Sequence, residues 1–335
     1  MHLLMREGRD RVTRMRRTGS VILNDSLLLL TALIWGMAFV AQRVGMERVG
    51  PFTYNAVRFA LGSLSLVPLI LIRDARARKR DATNPLPGSG RPARLPQLPG
   101  TRWMSPLRAG LIAGGVLVFG ASLQQVGLVY TTAGKAGFIT GLYVVLVPLV
   151  GLFFRQRAGG SAWIGAGLSL IGLFLLSVTS SLTIDRGDLL VLIGAFFWTA
   201  HVQVVGWLSP RTDPVRLSCV QFGVCSAASA AAALLLEHPA LPSILAAAWP
   251  ILYGGVLSVG VAYTLQVVAQ GKTPPAHAAI LMSLESVFAA LGGGIILGER
   301  LGAREAAGCA VMLAGMLASQ APLMFGSLVP GKRRG

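Results

Sequence analysis

Residues 26–45 read SLLLLTALIWGMAFVAQRVG, and residues 189–208 read LLVLIGAFFWTAHVQVVGWL. Each is an apolar run of about the 20 residues that an α-helix needs to cross the hydrocarbon core of a bilayer. They also match one another. At an offset of 163, Leu27, Ala32 and Trp35 recur as Leu190, Ala195 and Trp198, and the register holds through Pro51 and Phe59 to Pro214 and Phe222. At an offset of 140, Gly114, Gly115, Val116, Leu117 and Gly120 recur as Gly254, Gly255, Val256, Leu257 and Gly260. At 143, Ala136, Val144, Gly151, Arg157, Gly159, Gly165, Leu170 and Gly172 recur as Ala279, Val287, Gly294, Arg300, Gly302, Gly308, Leu313 and Gly315. The offset drops because the first half carries a longer connection, residues 73–108. A single match among common residues is weak, but their shared order and spacing predict a repeated unit.

The whole chain has the composition these runs imply. Of its 335 residues, 53% are hydrophobic and 13% charged, with a mean hydropathy of +0.65. A soluble domain carries about 25% charged residues, and a disordered chain is poor in apolar residues, so both are excluded. Ten apolar stretches are long enough to span, near 25–44, 52–72, 109–130, 136–154, 161–180, 188–208, 215–236, 247–269, 275–297 and 303–325. They are continuous, without the alternation of a membrane β-barrel, and a helix satisfies its own backbone in lipid. The predicted fold is an all-α polytopic membrane protein. Five helices per unit is an odd number, so the second unit enters from the opposite face and the two repeats are inverted, an arrangement characteristic of transporters. The first repeat is 25–180 and the second 181–325, flanked by a basic N-terminus, 1–24, and a basic tail, 326–335.

The formal charge of +17 and pI near 11.3 would suggest nucleic acid in a soluble protein. Here the charge is a topology signal. Most of the basic residues fall at the N-terminus (Arg6 to Arg17), between Arg73 and Arg108, at Arg155, Arg157, Arg211 and Arg216, and at Lys332 to Arg334, all on one side of an even set of spans. The positive-inside rule therefore predicts N-in/C-in, with anionic lipid headgroups and not nucleic acid as partners. The Pro-, Gly- and Arg-rich stretch 73–108 reads as a cytoplasmic linker. The first span lacks a clear cleavage site and is expected to be retained. Cys219, Cys225 and Cys309 lie inside apolar runs and read as small packing residues.

ALIWGMAFVAQ and PFTYNAVRFALG in the first two spans, TTAGKAGFITGLYVVLVPL around the fourth, and above all SLESVFAALGGGIILGERLGAREAAGCAVMLAGMLAS across the ninth and tenth resemble the EamA-type branch of the drug/metabolite transporter superfamily. The resemblance covers residues 25–325. It implies ten helices, a cavity lined by the first four helices of each repeat, and peripheral fifth and tenth helices. One departure is Ser286, where the family commonly has Pro after the ninth-span Glu. The family carries amino acids, other metabolites and drugs, so the resemblance names no substrate.

Polar residues sharing helical faces point to a pathway on their own. These are Asn55 and Arg58 on the second span, Gln124 on the third, Tyr143 beside Thr140 on the fourth, Trp198 and His201 on the sixth, Gln221 on the seventh, and Tyr263 and Gln266 on the eighth. Gln124, Gln221 and Gln266 could equally bond neighbouring helices. Glu285, about ten residues into the ninth span, is an ionisable group at a depth where it must be neutral, paired or wet. It reads as a proton-coupling residue or a contact for a substrate amine, against a structural bond that orients its helix. Its counterpart in the repeat is Leu142. Arg58 reads as a structural residue reaching the interface or backbone carbonyls, with pairing to Glu285 left open. His201 is the second proton-coupling candidate, against a packing role. Trp35 and Trp198 read as an aromatic cavity wall or as bulky packing. Pro68 and Pro148 suggest kinks. Gly165 and Gly172, with Gly308 and Gly315, form small-residue stripes for close contact within the bundle or between protomers of a homodimer.

No catalytic, nucleotide-binding or metal-binding motif is present in the sequence, and no cofactor is expected. The expectation is a non-enzymatic secondary carrier of a small organic solute in the inner (plasma) membrane, exporting if the resemblance holds. An importer or exchanger, a channel, and a non-transporting scaffold are the rivals.

Overall fold

The computed structural model describes residues 2–83, 104–154, 160–177 and 184–325, where the regular structure is helical. Expectations about residues 84–103, Arg155 and Arg157, 178–183, and the tail with Lys332 to Arg334 lie outside the described residues. The first half contains α1 (His2–Gly45), α2 (Pro51–Thr83), α3 (Pro106–Tyr130), α4 (Ala133–Gly141), α5 (Tyr143–Gly151) and α6 (Gly160–Ser177). The second contains α7 (Arg186–Leu208), α8 (Pro214–Leu236), two short helices α9 (Leu241–Ala246) and α10 (Ala248–Leu252), a π-helix (Tyr253–Tyr263), α11 (Thr264–Gln270), α12 (Pro275–Ser283), α13 (Glu285–Ile296) and α14 (Ala303–Phe325).

Among the described residues, eight stretches are long and apolar enough to cross a membrane, and Trp163–Leu176 in α6 is a shorter apolar helix. The exterior has the composition of a lipid-facing surface. Leu64, Phe119, Trp163, Leu235 and Ile295 are exposed, whereas Asn55, Gln125, Ser218 and Gln221 are buried. A soluble monomer rarely exposes a contiguous apolar surface of this extent.

Proline and short polar side chains start the helices. Pro106 follows Ser105, which accepts from Arg108 N, and Pro214 follows Asp213, which accepts from Val215 N and Arg216 N. Proline costs nothing at the first helical position, where its missing N–H would be unpaired anyway. Two elements run past their expected limits. The basic N-terminal segment continues the first span as one helix from His2, and α2 continues through Thr83, into the stretch expected as linker. The run Arg73–Lys79 is rich in Ala and Arg, both good helix formers. The fourth span begins at Ala133, so the connection after α3 is tighter than expected.

α6 packs on α14, α3 on α7 and α8, α2 on α8, and α1 on α13 and the π-helix. The small-residue stripes lie in the first of these pairs. A Cβ on Gly308 would stand 2.7 Å from the Gly172 carbonyl, and one on Gly315 would stand 2.8 Å from that of Gly165. The stripes thus bring two helices of one chain together.

Groups at each end of the bundle bond among themselves. At one end Glu237 accepts from Phe52 N, Thr53 N and the Thr53 hydroxyl, and Glu299 accepts from Ala133 N and Gly134 N. Lys135 pairs there with Glu305. At the other end Arg73 pairs with Asp213, Arg216 with Asp74, and His277 bonds Asp25.

Candidate functional site

Two spanning segments break in the middle. The fourth is split into α4 and α5 at Leu142, and the ninth into α12 and α13 at Leu284. Both leucines keep right-handed helical angles, with ψ of −21° and −14°. The turn tightens there: Leu142 N donates to the Ile139 carbonyl three residues back, and Val287 N to that of Leu284. The expected kink at Pro148 is not the break, since Pro148 lies inside α5, and Pro68 likewise lies inside α2. The residue after each break, Tyr143 and Glu285, opens a new helix and is buried.

The π-helix lies opposite. Its i→i+5 pattern widens the turn, a distortion common at functional sites. Its carbonyls take bonds from α1: Trp35 Nε1 donates to the Ser258 carbonyl at 3.2 Å, and the Thr31 hydroxyl is shared between the carbonyls of Leu27 at 2.9 Å and Ala262 at 3.2 Å. In return the Tyr253 hydroxyl donates to the Ile34 carbonyl.

Between these irregular segments lies a cavity. From the first half it is lined by Trp35, Gln42, Arg58, Gln124, Thr140 and Tyr143, and from the second by Trp198, His201, Ser258, Tyr263, Gln266 and Glu285. Ala38, Phe39, Val202 and Met282 complete the wall. The cavity volume is about 40 Å³, room for a few waters at roughly 10–15 Å³ each. An organic solute needs the walls to part.

Tyr263 is the hub of the aromatic wall, with ring centroids 4.5 Å from Trp35, 6.1 Å from Trp198 and 5.8 Å from Phe222. Gln124 links four elements: its Oε1 accepts from Trp198 Nε1 at 2.8 Å and from the Thr140 hydroxyl at 3.5 Å, and its Nε2 donates to Gln42. It thus both lines the cavity and bonds its neighbours. His201 Nε2 bonds Gln221 Oε1 at 3.0 Å, while its Nδ1 and Gln266 Oε1 are buried without partners. The Tyr143 hydroxyl lies beside the Glu285 carboxyl without a hydrogen bond of ordinary geometry, and no basic group pairs with Glu285 among the described residues.

All the sequence-predicted residues except Asn55 and Gln221 line this cavity, and those two hold residues that do. Arg58 differs from its expected surroundings. It is 2% exposed, bonds Asn55 Oδ1 at 2.9 Å, and among the described residues bonds neither a backbone carbonyl nor Glu285. The guanidinium lies instead over the rings of Phe59 and Tyr54, because a buried cation finds partial compensation on an aromatic face. Gln42 was absent from the expected set. It lies seven residues after Trp35 on the same face of α1, a spacing that could have found it.

Fold and site together define a polytopic helical membrane protein built around a small polar and aromatic cavity at two broken helices. The sequence profile of the EamA-like transporter family matches residues 23–178 and again 185–319. An uncharacterized transporter of Archaeoglobus fulgidus is 28% identical over 83% of this chain and 79% of its own. The uncharacterized transporter YwfM of Bacillus subtilis is 26% identical over 87% and 91%. The uncharacterized inner membrane transporter YedA of Escherichia coli is 25% identical over 68% and 69%. A crystal structure with 18% identity superposes with a TM-score of 0.62, covering 91% of this chain and 98% of that one. The chain belongs to the EamA-like transporter family, and is a transporter and not an enzyme.

Proposed function

We propose that the protein is a secondary carrier of a small organic solute, operating by alternating access between two inverted five-helix repeats around the cavity. The observation that carries this reading is the placement of the cavity at the two mid-helix breaks, with walls drawn from both halves. Broken helices at membrane depth are tolerated where they line a polar cavity, and solute sites of secondary transporters lie there. The reading takes all ten apolar stretches as spanning, those in α6 and α14 included, with both termini cytoplasmic. Bonding of groups within each end of the bundle supports that alternation, and the basic excess supports its orientation. The name of the Escherichia coli relative supports the inner membrane as location. Outward transport is the direction implied by the family resemblance.

Glu285 is the residue on which coupling turns, because among the described residues it is the one carboxyl lining the cavity. The test is flux of amino acids, other metabolites and organic cations in proteoliposomes, with and without a pH gradient, for wild type and Glu285→Gln. Saturable, gradient-driven flux lost in the Gln variant supports proton coupling at Glu285. Saturable flux indifferent to both leaves a carrier with a structural Glu285, and non-saturating flux indicates a channel.

A further inference from the structure

Arg58 is a cation lining this cavity whose N–H donors are largely unused. A guanidinium carries five N–H donors, and the bond to Asn55 Oδ1 uses one at Nε. Nη2 is buried and has no hydrogen-bond partner. No carboxylate pairs with Arg58 among the described residues. Phe59 and Tyr54, with ring centroids 4.8 and 5.5 Å from Cζ, compensate the charge only through their faces. An unpaired charge at this depth is costly and marks a solute or ion pathway by default.

The shape of the deficit specifies what relieves it. A planar guanidinium with free N–H groups on one edge matches a carboxylate, which accepts two parallel bonds. A single cation neutralises one negative charge. Glu285 lines the same cavity, so a second negative charge on the solute would meet a carboxyl. Among the other lining residues, Trp35, Trp198 and Tyr263 offer apolar ring surface. We propose that Arg58 is an anion-recognition residue, and that the solute is a monocarboxylate with a compact apolar body resting on those rings. This rests on the cavity being the solute site proposed above.

The test compares acids with uncharged isosteres, so that it does not depend on a variant folding. Phenylacetate and isovalerate are titrated into the purified protein against phenylacetamide, isovaleramide and phenethylamine, with binding read by calorimetry and by thermal shift. Charge-assisted bonds to Arg58 predict at least tenfold tighter binding of each acid than of its amide. Arg58→Gln is expected to abolish that preference, and Arg58→Lys, which loses the bidentate edge, to reduce it severalfold. Equal affinity for acid and amide, binding of the amine alone, or no binding of either acid overturns the proposal. So does an acid preference that is unchanged in Arg58→Lys, or in a folded Arg58→Gln. Flux of the same solutes in proteoliposomes separates the two readings. Acid-selective binding without saturable flux keeps the anion site and defeats the carrier, whereas saturable flux with no acid preference does the reverse.

Discussion

Replacing Gly172 by Ala is expected to destabilise the bundle, whereas the same change at Gly167, on the same helix, is not. A Cβ at 172 would lie 2.6 Å from the Gly308 carbonyl oxygen and 2.6 Å from Met312 N, both main-chain atoms that cannot swing aside. A Cβ at 167 meets nothing within 4 Å. Ordinary carbon contacts begin near 3.5 Å, so α6 and α14 must part by about 0.9 Å. A gap of that size forfeits a quarter to a half of each contact's well of about 0.1–0.2 kcal/mol. Over an interface of roughly 20 heavy-atom pairs the loss is about 0.5–2 kcal/mol. Both substitutions gain the same helix propensity, about 0.8–1 kcal/mol, so the difference between the variants isolates the contact. Thermal unfolding of the purified protein in detergent is the assay, with the Gly172 variant melting lower by a few degrees. Gly308→Ala, whose Cβ would stand 2.7 Å from the Gly172 carbonyl, should behave as Gly172→Ala. The double variant should cost less than the sum, because the helices are already parted. Equal melting of the 167 and 172 variants would refute the close packing of these helices.

Other consequences are equally open to test. Glu299→Ala leaves Ala133 N and Gly134 N without their acceptor, and is expected to cost about 0.5–2 kcal/mol, the usual range for a lost helix cap, with Glu299→Gln milder in the same melting assay. Trp198→Phe keeps the ring but removes the donor to Gln124. The expected loss is about 0.6 kcal/mol, a typical bond between helices in lipid, and no change in melting would mean that Gln124 is held by other partners. Reporter fusions at residues 90 and 335 should report cytoplasm and one at residue 238 the opposite side; any other pattern overturns the N-in/C-in orientation.

The class of the fold was legible because it depends on composition and run length, which a bilayer constrains tightly. The site was legible where a polar or aromatic residue interrupts an apolar face, as at Trp35, Gln124, Trp198 and Glu285. What escaped depends on backbone geometry or on which neighbour arrives. The π-helix occupies Tyr253–Tyr263, yet its sequence match in the first half, Gly114 to Gly120, is ordinary α-helix. A shared Gly–Gly–Val–Leu string therefore does not specify the helix type; at the π-helix, Trp35 and Thr31 bond main-chain carbonyls. For Arg58 the sequence offers the interface, backbone carbonyls or Glu285 as partners, whereas the structure surrounds it with Phe59, Tyr54 and Asn55.

The helix breaks revise the pairing of the two halves at the point that matters most. Matching by sequence at an offset of 143 set Glu285 against Leu142. Matching by backbone, Leu142 corresponds to Leu284, and the residue opening each second half-helix is Tyr143 in one repeat and Glu285 in the other. The two meet, the tyrosyl hydroxyl lying beside the carboxyl. A repeat that kept strict symmetry would bring two carboxyls, or two hydroxyls, together at the centre of the cavity. Two carboxylates sharing a site of low dielectric repel and cannot both ionise, and two phenols supply no carboxyl to exchange a proton or meet a cation. One of each gives a single acid with a neutral donor facing it. The departure from symmetry thus falls where duplication of the acid would be self-defeating, while the backbone break that presents both residues is kept in each half. On this argument Tyr143→Phe should alter the pH dependence of flux while Leu142→Ala should not, because the hydroxyl and not the break residue faces Glu285. Flux profiles altered equally by the two changes would return the pair to packing.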